Sequence, residues 1–252
     1  MKLAVSGKGG VGKTTFAALV ARHLAQEGMK VLAVDADPVP SLAQALGIEQ
    51  QVEPIANMHE LIHERTGAQP GTFGGFFKMN PRVDDIPERF SARKGNIRLI
   101  VMGTVDHGGS GCVCPESVLL KNLVQHIVLY RDEALVMDME AGVEHLGRAT
   151  AKAVDKMIVV VEPGGRSLEA AKRIKQLATE IGLRNVVAVA NKVRGEGDMK
   201  LIREALGDIP LMGGMEYDQA FVEADLSGKP PFADGVPEKL RPLLDSVAGQ
   251  GV

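Results

Sequence analysis

The segment Ser6-Gly7-Lys8-Gly9-Gly10-Val11-Gly12-Lys13-Thr14-Thr15 gathers glycines, two lysines and three hydroxyls near the start of the chain. Gly7 to Thr14 has the spacing G-x-x-x-x-G-K-T, set between an apolar run at Leu3-Ala4-Val5 and a helical pattern opening at Lys13. Glycines so placed let the backbone wrap closely around phosphate with its N–H groups facing the oxygens. The helix that follows adds the partial positive charge of its N-terminus. Gly9, Gly10, Val11, Gly12, Lys13, Thr14 and Thr15 are therefore the expected nucleotide-binding residues. The Lys13 ammonium is expected on the β- and γ-phosphates and the Thr14 hydroxyl on Mg²⁺.

Two later apolar runs end in acids. Val31-Leu32-Ala33-Val34 leads into Asp35-Ala36-Asp37-Pro38, and Leu135-Val136-Met137 leads into Asp138. Acids at i and i+2 point the same way if the strand continues, which gives Asp35 and Asp37 a common site. A third chemical signature is Gly111-Cys112-Val113-Cys114-Pro115. A disulfide across one residue is strained, whereas two thiolates on a Gly-rich loop can chelate one soft metal. Two thiolates make half of a tetrahedral site, and a two-fold axis supplies the other half, so Cys112 and Cys114 of two copies are expected to bind Zn²⁺ or Ni²⁺ between them, with an Fe–S cluster as the alternative that ligand identity leaves open.

The elements that must position these groups alternate between strand-like and helical patterns, the signature of a doubly wound, mainly parallel sheet with helices on both faces. Strands are expected at Lys2–Ser6, Lys30–Asp35, Ile97–Gly103, Ala134–Asp138, Lys156–Glu162, Asn185–Asn191 and, briefly, Ile209–Met212. Helices are expected at Lys13–Gln26, Pro115–Leu129, Ser167–Ile181, Met199–Leu206 and Pro237–Val247, with short helices and loops filling the stretch between Gln50 and Asn96. A single α/β domain over residues 1–252 is expected, with its ligand at the carboxyl ends of the strands. The net charge of −3 offers no general attraction to nucleic acid or an anionic membrane, and 4% aromatics without Trp leave little for base stacking. No apolar run approaches the roughly 18–20 residues of a membrane span. Two cysteines in one tripeptide, and an apolar strand where a signal peptide would lie, read as a cytoplasmic protein with neither nucleic acid nor membrane as partner.

Lys8, just after the first loop glycine, resembles the signature lysine of the deviant phosphate-loop ATPases, which include the nitrogenase iron protein, the arsenite-pump ATPase, MinD and ParA. The resemblance implies a homodimer sandwiching two nucleotides, in which Lys8 crosses to the partner's phosphates. It also implies that Asp37 orients or deprotonates the attacking water, that Asp35 and Asp138 hold the Mg²⁺ shell, and that Asn191 and Lys192 form the adenine-binding segment. Gly-Lys-Gly-Gly-Val-Gly-Lys-Thr-Thr, Asp-Ala-Asp-Pro, Gly-Cys-Val-Cys-Pro and Asp-Met-Glu-Ala-Gly-Val-Glu-His-Leu-Gly-Arg together resemble the CooC family of carbon monoxide dehydrogenase maturation factors. What this implies is an ATPase, cycling between ATP and ADP, that serves nickel incorporation into that dehydrogenase. A similar factor for acetyl-CoA synthase, and the MinD- and ParA-type positioning ATPases, are the alternatives. Glu140, Glu144 and His145 are compatible with metal ligation at the dimer seam and equally with a solvated helix start.

Overall fold

Strands covered on both faces read as near-continuous apolar runs, and all six residues of β2 (Val31–Ala36) and of β5 (Ala134–Met139) are buried, with one acid in each, Asp35 and Asp138, near its carboxyl end. The computed structural model describes residues 1–68, 76–103, 115–130, 133–143, 146, 148–231 and 235–249. The other strands are β1 (Lys2–Ser6), β3 (Ala92–Lys94), β4 (Ile97–Val101), β6 (Lys156–Val161), β7 (Val186–Val193) and β8 (Leu211–Glu216). They form one sheet in the order β3-β4-β2-β5-β1-β6-β7-β8, parallel throughout except for β3 against β4. The sheet is doubly wound, as expected.

Alternating side chains of the strands feed two cores. Leu3 and Val5 pack with Phe16, Leu19 and Leu24 of α1 (Lys13–Gln26), Leu42 and Leu46 of α2 (Leu42–Leu46), and a C-terminal helix at Arg241–Ala248. Ala4, Leu32 and Val34 face α3 (His59–Thr66), α5 (Pro115–Tyr130), α7 (Gly165–Glu180) and α8 (Glu196–Leu206) on the other side. Among the described residues the remaining α-helices are α4 (Ile86–Arg89), α6 (Arg148–Ala151) and α9 (Gln219–Leu226); the C-terminal helix is α10. A part-buried polar contact adds direction to this packing. His23 Nε2 of α1 lies 2.8 Å from Asp245 Oδ1 of α10, clamping the last helix onto the one that follows the glycine-rich loop.

The departures from expectation have local causes. β3 was not anticipated. It is too short for a periodicity to show, and it pairs antiparallel with β4 through a tight turn at Gly95-Asn96, where Gly95 takes φ +57°. The Gly-Asn dipeptide was its signal. α9 was missed as well, although Asp218 caps it by accepting from the Ala220 N–H at 3.0 Å. The expected helix from Pro237 divides into a 3₁₀ turn (Glu238–Leu240) and α10, which places Pro242 in the first helical turn, where a missing N–H costs nothing. Among the described residues no helix is long and apolar enough to cross a membrane.

Phe16 is fully buried one turn after the loop. Phe16→Ala is expected to lower the unfolding free energy by about 3–5 kcal/mol, the cost of an aromatic-sized cavity. Urea titration followed by circular dichroism measures it.

Candidate functional site

The carboxyl ends of β2, β5, β1, β6 and β7 bring together nearly all the residues singled out in the described sequence. β1 stops at Ser6, and Gly7 (φ +150°) passes so near β6 that an added Cβ would lie 2.4 Å from the Val160 carbonyl oxygen. Gly12 (φ +93°) is confined in the same way, with the Asn191 Nδ2 2.3 Å from where a Cβ would stand. Between them the Val11 side chain is fully buried and pins the loop to the core. α1 then starts with no side-chain cap and no acid in its first turn, which leaves its orphan N–H groups for an anion. Thr14 and Thr15 are half-buried in that first turn.

β2 and β5 pair in register so that Asp35 lies opposite Asp138, and both are fully buried. The two carboxylates have different fates. Asp35 accepts from the Asp37 N–H at 3.2 Å, the Ser41 N–H at 3.0 Å and the Leu42 N–H at 2.9 Å. Its oxygens thus organise the loop that leads into α2. Burial still pushes its pKa up to about 6, against the pull of those N–H groups. Asp138 has no such support. Neither of its oxygens has a well-formed hydrogen bond among the described residues. Burial raises its pKa to about 7; the Thr14 hydroxyl and the Lys13 ammonium pull downward, while Asp35 and Asp37 add to the rise.

The neighbouring side chains close this corner. The Lys13 ammonium, nearly buried, lies 3.6 Å from Asp37 Oδ2, and Asp37 Oδ1 accepts from the Val39 N–H at 3.0 Å. Ser41 Oγ donates to Thr14 Oγ1 at 3.3 Å. Strand geometry ends at Ala36, so Asp35 and Asp37 do not share one face as alternation would have it: Asp35 turns into its own loop and Asp37 toward the lysine. Lys8 is half-exposed, and its side chain has no hydrogen bond or ion pair among the described residues.

On the far side of the loop the geometry departs from expectation. Asn191, expected at a base edge, donates through Nδ2 to the Val11 carbonyl at 2.8 Å and accepts from the Lys192 N–H at 2.8 Å. Lys192 Nζ donates to the Gly10 carbonyl at 2.7 Å and to Glu162 Oε2 at 2.9 Å. Both side chains are engaged with the glycine loop because β7 ends directly beneath it. Sequence reasoning also missed Ser6 and Glu162. Ser6 Oγ donates to the Glu140 carbonyl at 2.9 Å and accepts from the Gly142 N–H at 3.2 Å, tying β1 to the segment after β5. A serine at the end of an apolar strand was the available signal. Cys112, Cys114, Glu144 and His145 lie outside the described residues.

Hard oxygen donors around an under-satisfied buried carboxylate suit Mg²⁺, which takes one or two carboxylates and completes its shell from phosphates and water. Among the described residues no three His, Cys, Asp or Glu side chains are grouped to hold a metal by themselves, as a nucleotide-dependent ion requires no such group.

Comparison with known proteins identifies the family. The family model described as the CobQ/CobB/MinD/ParA nucleotide binding domain matches residues 2–232. The chain belongs to this nucleotide-binding family. An uncharacterized ATP-binding protein of Methanocaldococcus jannaschii is 48% identical over 91% of this chain and 90% of its own length. The carbon monoxide dehydrogenase accessory protein CooC of Rhodospirillum rubrum is 46% identical over 90% of this chain and 88% of its own. Within the family, therefore, the chain is of the CooC type. The MinD protein of Pyrococcus horikoshii complexed with Mg-ADP shares the fold, with a TM-score of 0.66 at 19% identity over 99% of this chain and 95% of that one.

The pKa of Asp138 sets a sign for stability. A carboxyl whose pKa is 3.8 unfolded and about 7 folded binds protons more tightly in the folded chain. The stability this confers is complete below the unfolded value and is lost as pH rises through the folded one. Asp138→Asn is thus expected to raise the Tm of the nucleotide-free protein at pH 8, by about 2–4 °C for each kcal/mol recovered in a domain of this size. The gain should shrink as pH falls from 7 toward 4, as differential scanning calorimetry across that range would show.

Proposed function

We propose that this chain is a single-domain, dimeric, Mg²⁺-dependent ATPase that couples ATP binding and hydrolysis to nickel incorporation into carbon monoxide dehydrogenase. The observation that carries the enzymatic part is Asp138: a buried carboxylate without a well-formed partner, at the mouth of a glycine loop whose helix is left uncapped. The client is inferred from the relation to CooC of Rhodospirillum rubrum, named a carbon monoxide dehydrogenase accessory protein.

In this reading the uncapped N–H groups of α1 and the loop receive the phosphates, and Lys13 leaves Asp37 for the β- and γ-phosphate oxygens. Departure of Lys13 frees the Asp37 carboxylate to accept a hydrogen bond from water and aim it at the γ-phosphorus. The water oxygen forms the new P–O bond as the bond to the ADP oxygen breaks, and the water's proton passes by way of Asp37 to solvent. Thr14 and Asp138 hold the Mg²⁺ shell. Asp35, whose oxygens already accept three backbone N–H groups, contributes by fixing the loop that carries Asp37. Bound Mg²⁺ supplies neutralisation of phosphate charge. Lys8, unengaged within its own chain among the described residues, is assigned to the nucleotide of the partner subunit. Cys112 and Cys114 of two subunits share one Zn²⁺ or Ni²⁺, and because each subunit has only half a site, metal affinity and dimerisation reinforce one another.

Lys13→Ala is expected to abolish ATP binding in calorimetry. Asp37→Ala should retain binding and lose phosphate release by about a hundredfold or more, the scale of a positioned acid–base group. Equal turnover by wild type and Asp37→Ala would remove the role of Asp37. Co-expression with the dehydrogenase tests the biological part: wild type should raise its nickel content above that seen with Lys13→Ala, and equal content would refute the assignment.

A Cys112→Ala/Cys114→Ala variant is expected to lose the one metal per dimer found by elemental analysis, and with it metal-induced dimerisation in light scattering. Retention of the metal would place its ligands elsewhere.

A further inference from the structure

The glycine loop is bonded from beneath by residues that contribute nothing to its motif. A loop that aims N–H groups at phosphate must turn its carbonyls the other way, and those carbonyls need donors. Two of them are met at the end of β7: Val11 by Asn191 and Gly10 by Lys192. Because a trans peptide sets C=O and N–H antiparallel, holding the carbonyls of Gly10 and Val11 against β7 turns the N–H groups of Val11 and Gly12 to the opposite side, where the Val11 N–H makes a long bond of 3.4 Å to the Lys8 carbonyl.

The backbone is shaped for this contact. The pairing of β7 with β8 shifts register between Ala190 and Val193, and within that irregularity Lys192 adopts φ +58°. It is the one non-glycine residue with positive φ among those described. A bulge of this kind re-aims a side chain, and a strained backbone persists where the surroundings hold it. Glu162, directly after β6, fixes the other side of the Lys192 ammonium at 2.9 Å, and the Glu162 N–H donates to Ser167 Oγ at 3.1 Å in the first turns of α7.

We infer that Lys192 and Glu162 are positioning residues for the phosphates: Glu162 orients the Lys192 ammonium, which holds the Gly10 carbonyl outward and so keeps the loop's N–H groups facing the anion. Lys192 thereby acts on the triphosphate, whatever the base. The inference deepens the proposed ATP reading and rests on it.

The test measures affinity for ATP and for inorganic tripolyphosphate, each with Mg²⁺, by competition against a fluorescent ADP. Lys192→Met is expected to weaken both ligands by one common factor of about tenfold, the loss of a charge-assisted hydrogen bond. Glu162→Gln should weaken both by a smaller common factor. Since Glu162 acts through Lys192, the double variant should match Lys192→Met alone. Lys192→Gly separates folding from positioning: it relieves the positive φ, so Tm should hold while affinity for both ligands falls. Weakened ATP with unchanged tripolyphosphate would overturn the inference in favour of a base contact. Additive losses in the double variant would overturn the link from Glu162 through Lys192, and unchanged affinities would overturn it altogether. Failure of the wild type to bind either ligand would instead overturn the ATP reading itself, and this inference with it.

Discussion

Two acids, Asp35 and Asp138, sit opposite each other on adjacent parallel strands, fully buried at the carboxyl edge of an apolar sheet. Burying one carboxylate is costly and burying two side by side is more so, so the surroundings must either hydrogen-bond each acid or keep it protonated. The chain does one of each. Asp35 collects three backbone N–H groups from the loop that follows it, and that satisfaction shapes the turn into α2. Asp138 collects no good bond and has its pKa raised to about 7. The asymmetry assigns their tasks: one acid builds a loop, while the other stores an unmet demand for positive charge next to Thr14 and Lys13.

The glycine loop lies between this demand and a second polar group at the end of β7. Strand order makes that possible, because β1 has β5 and β2 on one side and β6 and β7 on the other. Asp35, Asp37 and Asp138 therefore approach the loop from one flank, and Glu162, Asn191 and Lys192 from the other. The Lys13–Asp37 contact at 3.6 Å spans the acid flank, leaving a lysine paired with a carboxylate that a phosphate can replace. Behind the loop, α1 is held by the fully buried Phe16 and by the His23–Asp245 contact to α10, so the frame around the site is packed on all its covered sides.

How much of this was legible in the sequence follows from how each feature is encoded. The loop, the strands ending in acids and the long helices are local patterns of glycine spacing and apolar periodicity, and they were read to within a few residues. β3 was missed because three residues carry no periodicity, and α9 because it buries none of its residues and so needs no apolar face; they are marked only by a Gly-Asn turn and an Asp cap. Ser6 and Glu162 were missed because their importance is a tertiary contact spanning a strand crossover. The neighbourhood of Asn191 and Lys192 was foreseen, but their partners were not: a motif gives residue types, whereas the acceptor an amide finds depends on where β7 ends relative to β1. The separation of Asp35 from Asp37 was likewise hidden, since alternation holds only while the strand continues and β2 stops at Ala36.

The central claim is that Asp138 supplies the buried charge that a Mg²⁺–nucleotide complex satisfies. Calorimetric titration of ADP with and without Mg²⁺, in wild type and Asp138→Asn, tests it most directly. The account predicts that Mg²⁺ tightens ADP binding to the wild type by about tenfold or more, the worth of a charge-assisted contact, and leaves binding to Asp138→Asn nearly unchanged. An equal Mg²⁺ enhancement in both proteins would contradict it.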